Sequence, residues 1–467
     1  MFWKKLQQNK EILFVILLFT AIYSLTLSAA GDLWWDAAVY IGMAKYIFSH
    51  GTIGLWEPNR PLLWPLILGF FWKIGIDIFL SAKIVTIFFS LGTIWLTYEM
   101  TEACINKKTA VIAAFLLGFW PVFFLYVSVL QTEIPATFFF LAGLHTFLKK
   151  KYTQSGFLLA LSFLARFFQF FLIIPILLFL TLQVIQKKEK ASSILNWSLA
   201  FIIPLFLFFG VNFLLYGNAI YPFEMQSYMT KYTGWVFEQP WWYYFVALAK
   251  ENILAVCIVP GLLVWIYDGW KEKKQNKLLI AGIILGGALP FFLSPHKEMR
   301  ILIPFLPFFS CSIASALTRM YDSVSQEIMK RIVALGIFIL AGIWVVPQLH
   351  QNSYEDNLDF FYEQLQTIPQ NTSLWISNPA FIVQTNLKAR ELLYYPLYDT
   401  EKMKEVEKQI PEAEVVLINS CDLLPCPEWD VLCEQEHQHL MSLLEENYSN
   451  ETSEQQGSCR YYFFKKK

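Results

Sequence analysis

The stretch Gly31–Pro65, GDLWWDAAVYIGMAKYIFSHGTIGLWEPNRPLLWP, begins where the first long apolar run of the chain stops. It carries Asp32, Asp36, Glu57 and Arg60 together with Trp34, Trp35, Trp56 and Trp64. Acids beside tryptophans, at the end of an apolar helix, suit a place with water on one side and lipid on the other. The stretch therefore reads as the first outer loop of a polytopic membrane protein.

Composition points the same way. Of 467 residues, 16% are charged and 18% aromatic, and the mean hydropathy is +0.44. Soluble domains carry about 25% charge, spread evenly enough to cover a surface. The net charge of −1 says little about partners, but no basic stripe of the kind nucleic acid needs is present. Met1–Lys10 is short and basic, and the run Ile12–Ala30 follows it. About 19 apolar residues is long for a signal peptide, and no clear small-x-small cleavage site precedes Asp32, so the run reads as a spanning helix. Of seven cysteines, Cys104, Cys257 and Cys311 fall in or beside apolar segments, and Cys421, Cys426, Cys433 and Cys459 lie in a polar tail. No pair has zinc-finger spacing with further ligands, which argues against a metal cluster; disulfides suit the tail if it is extracytoplasmic.

Basic residues mark cytoplasmic ends, and a span needs about 20 apolar residues. Helix Ile12–Ala30 starts inside, behind Lys4, Lys5 and Lys10. Pro61–Ile76 is short and opens with Pro61 and Pro65, so it reads as a helix lying along the outer face. Ser81–Met100 then crosses inward, Thr109–Val127 outward and Ile134–Leu148 inward, which leaves Lys107, Lys108 and Lys149–Lys151 inside. Had Pro61–Ile76 spanned, those lysines would lie outside, against the positive-inside rule. Ser155–Gln186 reads as two short helices meeting near Arg166, with Gln169 also at its centre. Ile194–Tyr216, Tyr243–Tyr267, Leu278–Leu293, Ile301–Leu317 and Ile332–Val346 complete about eleven spans. The expected fold class is an all-α polytopic membrane protein with a small α/β extracytoplasmic C-terminal domain. Residues 1–346 form the membrane part, with 31–80 as its first outer loop, and residues 347–467 the soluble part. Strand-like runs (Leu374–Ser377, Leu392–Tyr395, Val415–Asn419, Tyr461–Phe464) and helix-like ones (Thr400–Gln409, Cys433–Glu446) support that tail domain. Asn371, Asn447 and Asn450 stand in glycosylation triplets there.

The outer loops hold Asp36, Arg60, Glu133, Arg166, Lys231, His296, Lys297, Glu298 and Arg300 close to membrane level. Ionisable residues at that depth are costly unless paired or watered. Salt bridges and snorkelling account for any one of them; they account poorly for acids matched by cations from distant helices. Asp36 suits a general base that takes a proton from an acceptor hydroxyl, against a plain helix cap, a role equally open to Asp32. Glu133 is either a favourable acid at a helix amino end or a second acid facing Asp36. In the second role it would position the acceptor or hold a divalent metal such as Mg or Mn. Arg166, His296, Lys297 and Arg300 suit an anionic phosphate whose charge develops as it departs. Glu298 and Arg60 accompany them as acceptor-side or second-acid candidates.

These motifs resemble the GT-C superfamily of membrane glycosyltransferases. WWDAAVYIGMAKYI followed by RPLLWPLILGFFW looks like the Asp-Glu first-loop motif and Pro-rich interfacial helix of the protein O-mannosyltransferase and aminoarabinose transferase group. Glu133 matches that group's second acid at the fourth helix, and LARFFQF its short paired helices with a cation. HKEMRILIPFLPFF is similar to the His-Lys-Glu-x-Arg signature of mannosyltransferases that build lipid-linked glycans and glycolipid anchors. The resemblance covers roughly Ile12–Val346. One departure is Ala37, where that group has the second acid of its pair: either Asp36 works alone or Glu133 supplies the missing carboxylate. The resemblance implies inverting transfer of a mannose-like hexose from a polyprenyl-phosphate donor in the lipid to a protein, lipid or glycan acceptor. The reaction would take place on the outer face of the plasma membrane. The main rival is a transporter or flippase of a lipid-linked or polar substrate, which usually shows inverted repeats that this chain lacks. An oligosaccharyltransferase is a weaker rival, because its tryptophan-rich motif lies in a soluble domain; a lipid- or glycan-binding scaffold is a third.

Overall fold

The computed structural model describes residues 9–25, 27, 33–272, 274–326, 328, 336, 339–340, 342–343, 359–393, 400–422, 426, 431–456 and 459–467. Asp32, Lys330, Arg331, Tyr395 and most of the Ile332–Val346 crossing lie outside them. The chain divides into two compact units. The first comprises Met1–Gly31, Ala82–Val211 and Gln239–Ser353, and the second Asp32–Ser81, Asn212–Glu238 and Tyr354–Lys467.

The helices of the first unit are those of an integral membrane protein. Among the described residues six are long and apolar enough to cross: Ile78–Cys104, Phe167–Ile185, Ala191–Tyr216, Ile253–Lys271, Gln275–Leu293 and Met299–Ser323. Lys107–Gly118 with Pro121–Ser128 makes a seventh if the pair counts as one span. Glu133–Leu148 and Tyr152–Ala165 are shorter apolar helices. Met299–Ser323 is almost wholly buried, whereas Ala191–Tyr216 is mostly exposed on a rim of apolar side chains. Along Ile78–Cys104, the hydroxyls of Thr86, Ser90, Thr93, Thr97 and Thr101 each donate to a carbonyl four residues back. That satisfies them in surroundings without water.

Three expected single helices are broken. Thr109–Val127 bends by 57° between Gly118 and Pro121, because Pro121 lacks an N–H and pushes Trp120 into extended backbone. Tyr243–Tyr267 is interrupted at Asn252, extended at φ −154, whose side chain caps the following 3-10 turn at Leu254. Ile301–Leu317 starts as a 3-10 segment, Met299–Phe305, and becomes α-helical only at Leu306. The expected meeting of two short helices at Arg166 is observed: Tyr152–Ala165 ends there and Phe170–Ile185 follows a 3-10 turn.

The second unit is built on a five-stranded sheet of β1 Leu374–Ile376, β2 Ala389–Leu392, β3 Val415–Asn419, β4 Tyr448–Gln456 and β5 Cys459–Lys466. The order is β2-β1-β3-β5-β4. The β1–β2 and β1–β3 pairs are parallel, and the β3–β5 and β4–β5 pairs antiparallel. Alternation along the strands splits two cores. Trp375, Val416, Ile418 and Phe464 pack under the Thr400–Gln409 and Val431–Asn447 helices. On the other face, Leu374, Ile376, Val415, Leu417 and Phe463 pack against Val39, Met43 and Leu55 of the first loop. The tail from residue 354 is thus one part of this unit, and the loop around Asp36 supplies another. Each buried apolar side chain contributes about 1.5–3 kcal/mol. Cys421–Cys459 and Cys426–Cys433 form disulfides.

Polar contacts tie the loop helix Trp35–Phe48 to the tail. Lys45 Nζ donates to Val383 O at 2.5 Å and Thr385 O at 3.1 Å. Burial pushes the Lys45 pKa down to about 8, against the opposing charge of Asp77. Gly54, at φ +87, donates to Leu387 O and accepts from Ala389 N, both at 2.8 Å.

A Cβ at Gly54 would lie 2.2 Å from Gly42 O, whereas one at Gly75 (φ +85) meets nothing within 4 Å. Gly54→Ala is expected to cost more than the about 1–3 kcal/mol of backbone strain alone, and Gly75→Ala only about 1–2 kcal/mol. Denaturant unfolding followed by tryptophan fluorescence checks the order; equal losses would contradict it. Because folded Lys45 deprotonates near pH 8 and unfolded Lys45 near 10.5, the unfolded chain holds more protons in that window. Wild-type stability should therefore rise relative to Lys45→Met as pH goes from about 8 to 10.5. Unfolding midpoints of the two proteins across that range test it.

Candidate functional site

In the loop unit, the helix Trp35–Phe48 starts without a side-chain cap at Trp34, and Asp36 sits in its first turn. Asp36 Oδ1 meets Arg60 Nη1 at 2.8 Å, and Arg60 Nε meets Glu57 Oε2 at 2.8 Å. The guanidinium also lies over the Tyr40 ring, 5.9 Å from its centroid. Tyr40 is one helical turn after Asp36, so the pair shares a helix face. All three charged side chains are mostly buried, at 7–16% exposure. Trp56 Nε1, next to Glu57, donates to Tyr216 Oη at 2.5 Å. Asp36 is thus held by a charged network rather than serving as the helix cap.

The membrane unit assembles a second charged group. Glu133 opens the helix Glu133–Leu148 with no exposure, and Arg166 Nη1 meets its Oε1 at 2.8 Å. Arg166 is extended at the break between two helices, so its side chain leaves the helical ladder and also reaches Thr132 Oγ1 at 3.3 Å. A buried carboxylate without such a partner would be neutralised or expelled. In the turn SPHKEMR, His296 Nε2 lies 2.7 Å from Glu298 Oε1, and Arg300 Nε lies 2.8 Å from Glu298 Oε2. Burial disfavours the Glu298 carboxylate, but the His296 hydrogen bond and the Arg300 guanidinium outweigh it and hold the pKa below 4.5. Arg300 Nη1 donates to Gln131 Oε1 at 3.3 Å, and the Met299–Phe305 segment packs on the Glu133 helix. Tyr126 feels the charges of Glu133, Arg300, Glu298 and Arg166 alike. Between them, Leu130 takes φ +61, a left-handed conformation costing about 1–2 kcal/mol. Such strain collects where a turn must aim particular side chains.

The structure therefore gathers Asp36 with Arg60 in one unit, and Glu133, Arg166, His296, Glu298 and Arg300 in the other. Lys297 is turned elsewhere: its ammonium donates to Ser294 O and, at 3.2 Å, to Gln239 O. Lys231 is exposed, near the end of the Tyr221–Thr233 helix. The sequence places Glu57 in the first loop without giving it a role, and Gln131 and Thr132 are not singled out by it. The usable signal was polar residues adjoining the chosen ones in apolar or proline-rich stretches. A divalent cation does not fit the described donors well. Asp36, Glu133 and Glu298 each already face a guanidinium, which a cation would have to displace. Among the described residues the one group of three candidate ligands is Cys426, Cys433 and His437, and its sulfurs are joined in a disulfide.

The model of the Alg9-like mannosyltransferase family matches residues 13–376. The fold is similar to the crystal structure of ArnT from Cupriavidus metallidurans bound to undecaprenyl phosphate, with a TM-score of 0.66 at 9% identity, over 97% of this chain and 98% of that one. It is also similar to the oligosaccharyltransferase AglB from Archaeoglobus fulgidus in complex with an inhibitory peptide and a dolichol-phosphate. There the TM-score is 0.57 at 12% identity, over 88% of this chain and 69% of that one. At these identities the likeness is one of fold. No curated protein matches the chain.

Removing Arg166 leaves Glu133 buried without its guanidinium. Arg166→Met should cost about 3–5 kcal/mol, and adding Glu133→Leu should recover most of it. Thermal unfolding in detergent measures both; an unrecovered double variant would mean that the pair is not the cause of the loss.

Proposed function

The chain belongs to the Alg9-like mannosyltransferase family, and on that premise we propose that it moves a mannose-like hexose from a polyprenyl-phosphate carrier to an acceptor hydroxyl on a protein, lipid or glycan. It is a membrane glycosyltransferase of GT-C type, so the transporter reading has no support. The observation that carries the donor assignment is the half-buried cluster of His296, Glu298 and Arg300 beside the Glu133–Arg166 pair. Cations held in place by acids suit a phosphate that gains charge as it leaves. That ArnT was solved with undecaprenyl phosphate and AglB with a dolichol-phosphate agrees with a lipid phosphate.

The reaction is one displacement. The acceptor oxygen attacks the anomeric carbon, and the bond from that carbon to the carrier phosphate breaks, inverting the centre. The electron pair leaves on the phosphate and the acceptor proton goes to Asp36. Arg166, His296 and Arg300 stabilise the departing phosphate. Glu133 and Glu298 hold those cations, Arg60 orients Asp36, and Lys297 fixes the turn through its two carbonyls.

The amino terminus is placed inside and the 347–467 tail outside. Support comes from Lys107, Lys108, Lys149–Lys151 and Lys187–Lys190 on one set of loops, and from the tail disulfides.

Asp36→Asn should lower kcat by about 10²–10⁴-fold while carrier binding persists. His296→Ala and Arg300→Ala should raise the Kd for polyprenyl phosphate. Transfer of labelled hexose by purified protein and lipid binding in detergent read the two effects. Normal turnover in Asp36→Asn would remove the base, and unchanged lipid affinity in both other variants would remove the clamp.

A further inference from the structure

The helix break at Arg166 carries a second polar side chain that the ion pairs do not use. Gln169 is 1% exposed. Its backbone N–H donates to Arg166 O at 3.1 Å, yet neither its carboxamide oxygen nor its nitrogen has a hydrogen-bond partner among the described residues. Leaving a buried amide unmet costs as much as losing hydrogen bonds outright, and its neighbours Phe167, Phe168, Phe170 and Phe171 offer no polar atom in compensation. The backbone bond closes the turn between Gln169 and Arg166, the cation assigned to the carrier phosphate, so the two residues are neighbours at one helix break. Non-helical backbone at membrane depth is itself tolerated where it lines a polar cavity.

We propose that Gln169 binds the sugar of the lipid-linked donor, reading an adjacent pair of ring hydroxyls. The inference rests on the donor reading above and adds the residue that recognises the hexose. A carboxamide both donates and accepts. Two vicinal hydroxyls, each able to do either, satisfy both of its ends at once. A phosphate only accepts, so it would leave the Gln169 carbonyl buried and unmet. Gln169 is in this sense a specificity residue, while Arg166 serves the phosphate.

The test uses full-length protein in detergent, with Gln169→Leu, a substitution of similar volume. The probes are polyprenyl-phosphate hexose, its analogues each lacking one ring hydroxyl, and sugar-free polyprenyl phosphate. Wild type should disfavour at least one deoxy analogue about tenfold in kcat/KM, the value of roughly one hydrogen bond. In Gln169→Leu that discrimination should vanish and KM for the full donor rise about tenfold. The unfolding midpoint should hold or rise, because the unmet amide is removed, and the affinity for sugar-free lipid should hold. Retained discrimination overturns the inference, as does an equal loss of affinity for the sugar-free lipid, which would make Gln169 a phosphate ligand. A lowered unfolding midpoint with discrimination intact would make it a packing residue and also overturns it. Should wild type transfer no sugar, the donor reading fails by that assay alone. Stabilisation against heat by hexose-bearing over sugar-free lipid then still reads Gln169, and equal stabilisation of wild type by both lipids overturns it.

Discussion

A charge in an apolar interior is tolerated only with its counter-charge, and this requirement shapes the membrane unit. Glu133 has no exposure, so Arg166 must reach it, and for that the chain must leave helical geometry at Arg166. The same requirement closes Glu298 between His296 and Arg300 in a turn that runs into a 3-10 rather than an α-helical segment. Breaking a buried pair costs more than forming it gains. Such clusters are therefore poor devices for stability alone.

The second unit answers a different constraint. A sheet has two faces, and the two longer tail helices cover one. On the other, Leu365, Phe381 and Ile382 of short tail helices are joined by Val39, Met43 and Leu55 from a loop more than three hundred residues earlier, with Lys45 bonded to two tail carbonyls. This arrangement gives Asp36 a rigid mount, since its helix is part of a packed core. It also accounts for the glycine at residue 54, which bonds Leu387 and Ala389 while lying too close to the Gly42 carbonyl of the loop helix for a side chain.

Much was legible from residue pattern. The two short helices meeting at Arg166, the strand Val415–Asn419 and the helix Thr400–Gln409 follow from proline, charge and periodicity. β4 was missed because YSNETSEQQ has no apolar alternation; it is a polar edge strand made by pairing with β5. The breaks at Trp120 and Asn252 were missed because the apolar run continues through both, and hydropathy does not register a backbone that turns.

The sequence by itself determined the class of protein and the cast of charged residues, because long apolar blocks and acids at membrane level are local facts of composition. Only the tertiary structure decided the partners: Arg60 for Asp36, Arg166 for Glu133, Arg300 for Glu298, and two carbonyls for Lys297. A cation's choice among several acids depends on distance and burial. Both arise from packing between segments whose separation along the chain carries no record of it.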